Sequence, residues 1–205
     1  MNSEKIIHLQ ENLAKKVIAK DVLPSAIKTI CGVDVSYKGN KAYCSAVILS
    51  RKSLEILDSK NSSFGISSPY IPGFFMLREA KPILLTLKKL RENFDILLVD
   101  GHGILHPRKC GLACYVGLKL DKPVIGVAKK LLCGKIRPDS KIELDGKVLG
   151  CQIKNKKTIY VSTGHKISLR TAKKIVKELI LDKNWYPEPL RIADQNSRNY
   201  RKSFN

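Results

Sequence analysis

The chain has 205 residues, of which 43% are hydrophobic, which is enough to build a substantial core and excludes wholesale disorder. Its 38 Lys and Arg residues outnumber its 18 Asp and Glu residues, so the formal net charge is +20. Such an excess predicts a polyanionic partner, either nucleic acid or an anionic membrane surface.

The apolar runs of the chain are too short to cross a membrane. A spanning helix needs about 20 consecutive apolar residues, whereas the run over residues 96–99 ends at Asp100. Residues 1–5 lead into charged sequence rather than an apolar signal core, so we expect a cytoplasmic protein with reduced cysteines. Cys110 and Cys114 have no second close pair beside them, which argues against a zinc site.

The first third of the chain predicts one helix and three strands. Apolar residues at helical spacing indicate a helix over residues 4–19. Strand-forming residues follow in three runs joined by short turns, which favours antiparallel pairing of 29–38, 43–49 and 54–57. A loop rich in Ser, Gly and Pro is expected over residues 61–73.

The middle of the chain alternates helix and strand. Residues 74–91 indicate a helix, with Pro82 near its start or at a kink. Residues 95–99 and 124–128 read as buried strands, and a helix between them is expected to begin near Pro107. This β–α–β alternation favours a parallel extension of the sheet.

The last quarter predicts a hairpin and a helix. The hairpin spans 147–153 and 158–162, and Ser168 can cap a helix over 169–181. A polar, basic tail from about residue 197 is expected to fray. The whole pattern predicts an α/β protein with a mixed central sheet flanked by helices on both faces.

Two aspartates occupy positions where a carboxylate needs a partner. Asp34 lies within an apolar strand, where an unpaired charge is costly, and Asp100 ends a buried strand before Gly101. If their strands are neighbours, the two can share one or two Mg²⁺ ions, which prefer oxygen ligands and can activate water at a phosphodiester. An acidic metal site in a basic protein suits a nuclease. Glu79 and Asp194, taken alone, fit ordinary surface positions.

Five segments, met in order between residues 5 and 196, together resemble the endonuclease V family. The two most specific are the Pro-Tyr-Ile-Pro-Gly block and the Asp-Gly-x-Gly block that leads into His-Pro-Arg. The segments are residues 32–37, 69–73, 78–79, 100–108 and 126–130.

The resemblance implies a ribonuclease H-like fold and one monomeric domain over residues 1–205. It also implies Mg²⁺-dependent cleavage, with Mn²⁺ as a substitute, at the second phosphodiester 3′ to deoxyinosine. The products would carry 3′-hydroxyl and 5′-phosphate ends. DNA is the favoured substrate, and inosine in RNA stays open. A membrane partner is not expected.

The resemblance further assigns roles to individual residues. Catalytic roles fall to three carboxylates and two basic residues: Asp34, Glu79, Asp100, His106 and Lys129. Metal binding falls to Asp34, Glu79 and Asp100, with Asp194 as a further ligand.

Substrate binding is assigned to a wedge and a base pocket. Tyr70, between two prolines, and Ile71 would enter the base stack while the lesion base is extruded. The wedge comprises Pro69, Tyr70, Ile71, Pro72 and Gly73. Main-chain groups of Gly73, Gly101, Leu112 and Leu132 would line the pocket.

Two alternatives remain at this stage. Another ribonuclease H-like nuclease would share the carboxylates but would not need the block at residues 69–73. A non-catalytic nucleic-acid-binding protein would use only the basic surface, would bind with steep salt dependence, and would leave Asp34 unexplained.

Overall fold

One mixed sheet of nine strands forms the centre of the protein. The computed structural model describes residues 3–66, 71 and 73–204. The strands are β1 (Thr29–Lys38), β2 (Lys41–Ser50), β3 (Ile56–Gly65), β4 (Ile96–Asp100), β5 (Val124–Ala128), β6 (Lys135–Ile136), β7 (Lys141–Leu144), β8 (Lys147–Lys154) and β9 (Thr158–His165). The strand order across the sheet is β3-β2-β1-β4-β5-β9-β8-β7-β6.

The sheet has a parallel centre and antiparallel flanks. Strand β4 runs parallel to both β1 and β5, while β2 and β3 continue antiparallel on one side and β9 and β8 on the other. Val33 pairs with Val99, so Asp34 and Asp100 follow side by side on neighbouring strands. The predicted convergence of these two aspartates is therefore a consequence of strand register.

Helices cover both faces of the sheet and enclose two large apolar cores and one small apolar cluster. The helices are α1 (Ser3–Ala14), α2 (Met76–Leu87), α3 (Leu112–Leu120), α4 (Leu169–Glu178) and α5 (Glu188–Lys202). Helices α1 to α3 pack on one face, where Ile83 and Val116 join Val33 in the first core. Helices α4 and α5 pack on the other, where Ile175 and Leu190 join the second core. The predicted ribonuclease H-like α/β fold class is confirmed.

The predicted loop over residues 61–73 is partly wrong. Strand β3 continues to Gly65 because its backbone pairs with β2, from Ile56 opposite Leu49 to Gly65 opposite Lys41. Strand β3 is an edge strand, which few other elements cover, so its side chains need not alternate regularly between apolar and polar. It can therefore contain the serine and asparagine residues that led us to predict a loop.

Two helices begin or end away from their predicted positions. Helix α1 ends at Ala14 rather than near residue 19. Helix α3 begins at Leu112 rather than near Pro107, because the chain first makes a tight turn in which the Gly111 amide donates to the Gly103 carbonyl. Pro82 lies inside α2.

The predicted frayed tail is also wrong, because residues 188–202 form α5 and Ser197 is buried on it. The helix lies over β1 and β2, and it approaches the sheet closely at Gly32. A Cβ at Gly32 would lie 2.4 Å from the Pro189 carbonyl carbon, so only glycine permits this packing. Strands β6 and β7 had no sequence prediction. None of the described helices is long and apolar enough to cross a membrane.

Candidate active site

The centre of the site is the pair formed by Asp34 and Asp100. Strand β1 carries Asp34 to the carboxyl end of β4, where Asp100 stands beside it. Asp34 is only 8% exposed, and burial raises its pKa well above the ordinary value; the charge of Asp100 and a hydrogen bond to it raise it further. A buried carboxyl group beside a second acid favours its protonated form unless positive charge lies close to it, and this applies to Asp34.

Glu79 reaches the same cleft from the first turn of α2. Its side chain is buried, and the Tyr37 hydroxyl donates a hydrogen bond of 2.7 Å to Oε1. Burial raises the pKa of Glu79 to about 8, although the bond from Tyr37 acts in the opposite direction. The Arg78 guanidinium stacks over the Tyr37 ring at 4.2 Å and helps to fix it.

Lys129 supplies positive charge to this cluster. It follows β5 directly, and its Nζ lies 2.5 Å from Oδ2 of Asp100 and 3.8 Å from Oδ1 of Asp194. Burial opposes the charged form, but the neighbouring carboxylates of Asp100 and Asp34 outweigh it and raise the pKa of Lys129. The ammonium also lies over the Tyr186 ring, 4.9 Å from its centroid.

Asp194 joins the cluster from α5. The Arg198 guanidinium, one turn further along the helix, holds its carboxylate at 3.0 Å. One open cleft of about 400 Å³ is lined by all four acidic residues and by Lys129. The structure therefore brings together four acidic residues, Asp34, Glu79, Asp100 and Asp194, that are far apart in the sequence.

The chemistry of these groups fits a hard divalent cation. All the acidic donors are oxygens, and the buried Ser36 Oγ, which also faces the cleft, has no hydrogen-bond partner among the described residues. As the side chains stand, no three acids, histidines or cysteines in the described part form a closed ligand cluster, and the Lys129 ammonium contacts Asp100 instead. A cation held here would favour the charged form of Asp34, whose pKa is raised mainly by burial.

A second cavity, of about 470 Å³, adjoins the acidic cleft. Its lining includes the four residues whose main-chain groups the family resemblance assigned to the base pocket: Gly73, Gly101, Leu112 and Leu132. Asp100 and Lys129 line both spaces. A group held in this cavity would therefore lie directly beside the carboxylates.

The Gly73 carbonyl lies at the wall of this cavity and accepts three hydrogen bonds. It accepts hydrogen bonds from Gln10 Nε2 at 3.1 Å, His106 Nε2 at 3.1 Å and Arg108 Nη2 at 2.7 Å. Gly73 has φ +79°, and a Cβ there would lie 2.8 Å from Arg108 Nη2. Three side chains from distant positions thus fix one backbone atom at the wall of the cavity.

His106 lies in the cavity wall with both ring nitrogens engaged. Nε2 donates to the Gly73 carbonyl and Nδ1 accepts from the Arg108 amide, which defines a neutral imidazole. Burial and the nearby Arg108 charge lower the pKa of His106 to about 4. In this position His106 holds the loop, and its ring has no nitrogen left for a phosphate.

The wedge lies largely outside the described residues. Pro69, Tyr70 and Pro72 are not among them, and Ile71 is 39% exposed. Gly73, the last residue of the block, is placed at the cavity as described above.

Several site residues were missed by the sequence reasoning. Gln10 is a polar residue on the buried side of α1 and is only 1% exposed. A polar residue on the apolar face of a predicted helix could have indicated a buried hydrogen-bonding role. His102 Nε2 lies 2.9 Å from the Lys130 carbonyl and ties down the loop that leads to Leu132. Tyr186 had no signal, because its contact with Lys129 joins distant parts of the chain.

Comparison with known proteins identifies the relatives of this chain. The family model described as Endonuclease V matches residues 11–195. Endonuclease V of Pyrococcus abyssi is 45% identical over 195 residues, covering 95% of this chain and 91% of that protein.

Two solved structures extend the similarity to the fold. Endonuclease V of Bacillus subtilis superimposes with a TM-score of 0.90 at 28% identity, covering 100% of this chain and 94% of that one. Endonuclease V of Ciona intestinalis, solved with a 24mer DNA containing an inosine followed by a ribo-adenosine, gives 0.84 at 28% identity over 100% of both chains. The chain therefore belongs to the endonuclease V family and is an endonuclease.

Proposed function

We propose that this protein cleaves the second phosphodiester bond 3′ to deoxyinosine in DNA, with Mg²⁺ as cofactor, and leaves 3′-hydroxyl and 5′-phosphate ends. The observation that carries the proposal is the contact between two spaces. The carboxylate cleft and the 470 Å³ cavity share Asp100 and Lys129 in their walls. An extruded base and a phosphodiester of the same strand can occupy them together.

The carboxylates are proposed to hold the metal. Asp34 and Asp100 are the principal ligands, Glu79 is the third, and Asp194 lies at the edge of the same cleft. When bound, Mg²⁺ supplies the positive charge that a phosphate needs during hydrolysis. Mn²⁺ has the same preference for oxygen ligands and is the expected substitute.

Lys129 is proposed to donate a hydrogen bond to an oxygen of the scissile phosphate. Its ammonium already lies at the boundary between the two spaces and is 2.5 Å from Asp100. A fixed cation at that point stabilises the charge that develops on the phosphate oxygens. Its contacts with Asp100, Asp194 and the Tyr186 ring orient it without need of substrate.

The larger cavity is proposed to receive the hypoxanthine base. Backbone groups of Gly73 and Gly101 would read its edge, while Leu112 and Leu132 contact its faces. His106 acts here as a positioning residue, since it holds the Gly73 carbonyl. Tyr70 and Ile71 are proposed as the wedge that takes the place of the extruded base.

A panel of labelled strands tests the proposal. Strands carrying one deoxyinosine, one inosine in RNA, or an inosine followed by a ribonucleotide are incubated with and without Mg²⁺, beside an undamaged strand. The ribonucleotide arm is included because the Ciona intestinalis relative was solved with such a DNA. We expect cleavage of the deoxyinosine strand only with Mg²⁺, and none of the undamaged strand.

Matched variants complete the test. Asp100→Asn keeps the size of the side chain, removes its charge and is expected to abolish cleavage. Glu92→Gln alters an exposed glutamate outside the cleft and is the control, with wild-type activity expected. Equal cleavage of damaged and undamaged strands would favour another nuclease specificity, and full activity of Asp100→Asn would reject the site.

A further inference from the structure

A basic turn lies at the same end of the central strands as the carboxylates. Ala128, at the end of β5, pairs with Tyr160 of β9, so the β8–β9 turn lies beside Lys129 and Lys130. We define the basic turn as residues 154–157, which include Lys154, Lys156 and Lys157, all exposed. The turn lies in a stretch, residues 146–177, that contains no Asp or Glu.

Two aromatic rings connect the basic turn to the active site. Lys129 Nζ lies 4.9 Å from the Tyr186 ring centroid, the Tyr186 and Trp185 rings are 5.0 Å apart, and Lys157 Nζ lies 4.9 Å from the Trp185 ring. The Tyr186 hydroxyl donates to the Val127 carbonyl at 3.1 Å, which fixes this pair to β5. The active-site lysine and the basic turn are thus held on one aromatic support.

Hydrogen bonds hold the basic turn in place. Asn155 Nδ2 donates to the Asn184 carbonyl at 3.2 Å, and Lys156 Nζ donates to the Lys183 carbonyl at 3.0 Å. The lysines are therefore presented on an ordered surface. Lys183 adds a further exposed positive charge, and the acids Asp182 and Glu188 lie near it.

The position of the basic turn relative to the carboxylate cleft and the base cavity favours one path for the substrate strand. The base cavity is lined by Met76 and Leu112, which belong to the core under α1 to α3. Trp185 and Tyr186 belong to the core on the opposite face, and the carboxylates lie between. A strand that starts in the base cavity and crosses the carboxylates towards the face of α4 and α5 would reach Trp185 and Tyr186 beyond the scissile bond.

We infer that the basic turn, supported by Trp185, binds the phosphate backbone of the substrate strand on the 3′ side of the scissile bond. This inference rests on the proposed function, because the cut must lie 3′ to the base in the cavity. Its partner is a polyanionic nucleic-acid strand, and each lysine contributes mainly through its charge.

The test compares two strands that differ only beyond the cut. Both carry the same 5′ arm and one deoxyinosine; the short-arm strand stops just past the scissile bond and the long-arm strand continues well beyond it. The variant is Lys154→Ala/Lys156→Ala/Lys157→Ala. The control is Lys52→Ala/Lys88→Ala/Lys89→Ala. It removes the same charge from exposed lysines at the opposite end of the strands, where β1 and β4 begin.

Single-turnover cleavage over a range of protein concentrations gives an apparent Kd. With the long-arm strand, we expect the variant to raise the apparent Kd about tenfold and to reduce the slope of log Kd against log salt concentration by up to about one per lysine. With the short-arm strand, the apparent Kd should rise less than about twofold. The control should change both strands equally and slightly. Equal weakening of both strands by the variant, or a control effect as large, overturns the inference.

A second measurement uses Trp185, the only tryptophan of the chain. On rapid mixing of the wild-type protein with the long-arm strand its emission should change before cleavage, and the short-arm strand should leave it unchanged. The same signal from both strands contradicts the inference. If the wild-type protein cleaves neither strand with Mg²⁺, the proposed function itself fails, which distinguishes the two outcomes.

Discussion

The substitution Glu79→Gln should stabilise the metal-free protein while it removes cleavage. Glutamine matches glutamate in size and keeps the Oε1 oxygen that accepts the hydrogen bond from Tyr37. It removes only the charge, which is costly at this buried position. A catalytic group that destabilises the fold is expected where function requires charge in a desolvated site.

The size of this effect follows from the pKa of Glu79. In the folded protein the pKa is raised to about 8, mainly by burial, against 4.5 for an ordinary glutamate. Between these two pH values the folded state holds a proton that the unfolded chain has released, so the free energy of unfolding falls as pH rises. At about 1.4 kcal/mol per pKa unit the total is roughly 4 to 5 kcal/mol, lost by the wild type above pH 8 and kept below pH 4.5.

Urea unfolding at pH 5 and pH 8.5, in the presence of a chelator, measures this difference. The gain in stability of Glu79→Gln over wild type should be small at pH 5 and several kcal/mol at pH 8.5. Glu92→Gln, at an exposed glutamate, is the control and should stay within about 0.5 kcal/mol at both pH values. A gain that does not grow with pH, or a loss at pH 8.5, would refute the reasoning.

Two further predictions concern substrate binding. Gly73→Ala places a Cβ 2.8 Å from Arg108 Nη2 at a backbone φ of +79°. The resulting strain of roughly 1 kcal/mol or more should raise KM for a deoxyinosine strand several-fold, with a smaller change in kcat. An unchanged KM would show that Gly73 is not part of the base pocket. Tyr70→Ala should lower the preference for deoxyinosine over undamaged DNA, measured as a ratio of kcat/KM values, more than it lowers general DNA affinity; equal losses would reject the wedge.

The core strands and the aspartates were predictable because their signals are local. β1 was predicted with its observed bounds, since its apolar run ends at a turn around Gly39. Asp34 was conspicuous because a carboxylate within an apolar strand needs a partner. The strand register that places Asp34 beside Asp100 depends on pairing between distant segments, so the sequence alone could not establish that the two strands are neighbours.

The remaining elements depend on tertiary contacts. Helix α5 has a mostly polar sequence, and it is held by the burial of Leu190 and Ala193 against the sheet, with a close approach at Gly32; these contacts join residues far apart in the chain. His106 carried a family assignment as a catalytic residue, yet its hydrogen bonds to Gly73 and Arg108 engage both ring nitrogens. Tyr186 could not be predicted because its partners, Val127 in β5 and Lys129 just after it, are far from it in the sequence.

Metal binding tests most directly the claim that the carboxylates form a divalent-cation site. Titration of Mn²⁺ into the protein, followed by the loss of the EPR signal of the free ion, gives an affinity that does not depend on cleavage. The account predicts that Asp34→Asn and Asp100→Asn each weaken binding at least about tenfold, while Asp182→Asn does not. Wild-type affinity in both carboxylate variants would contradict it.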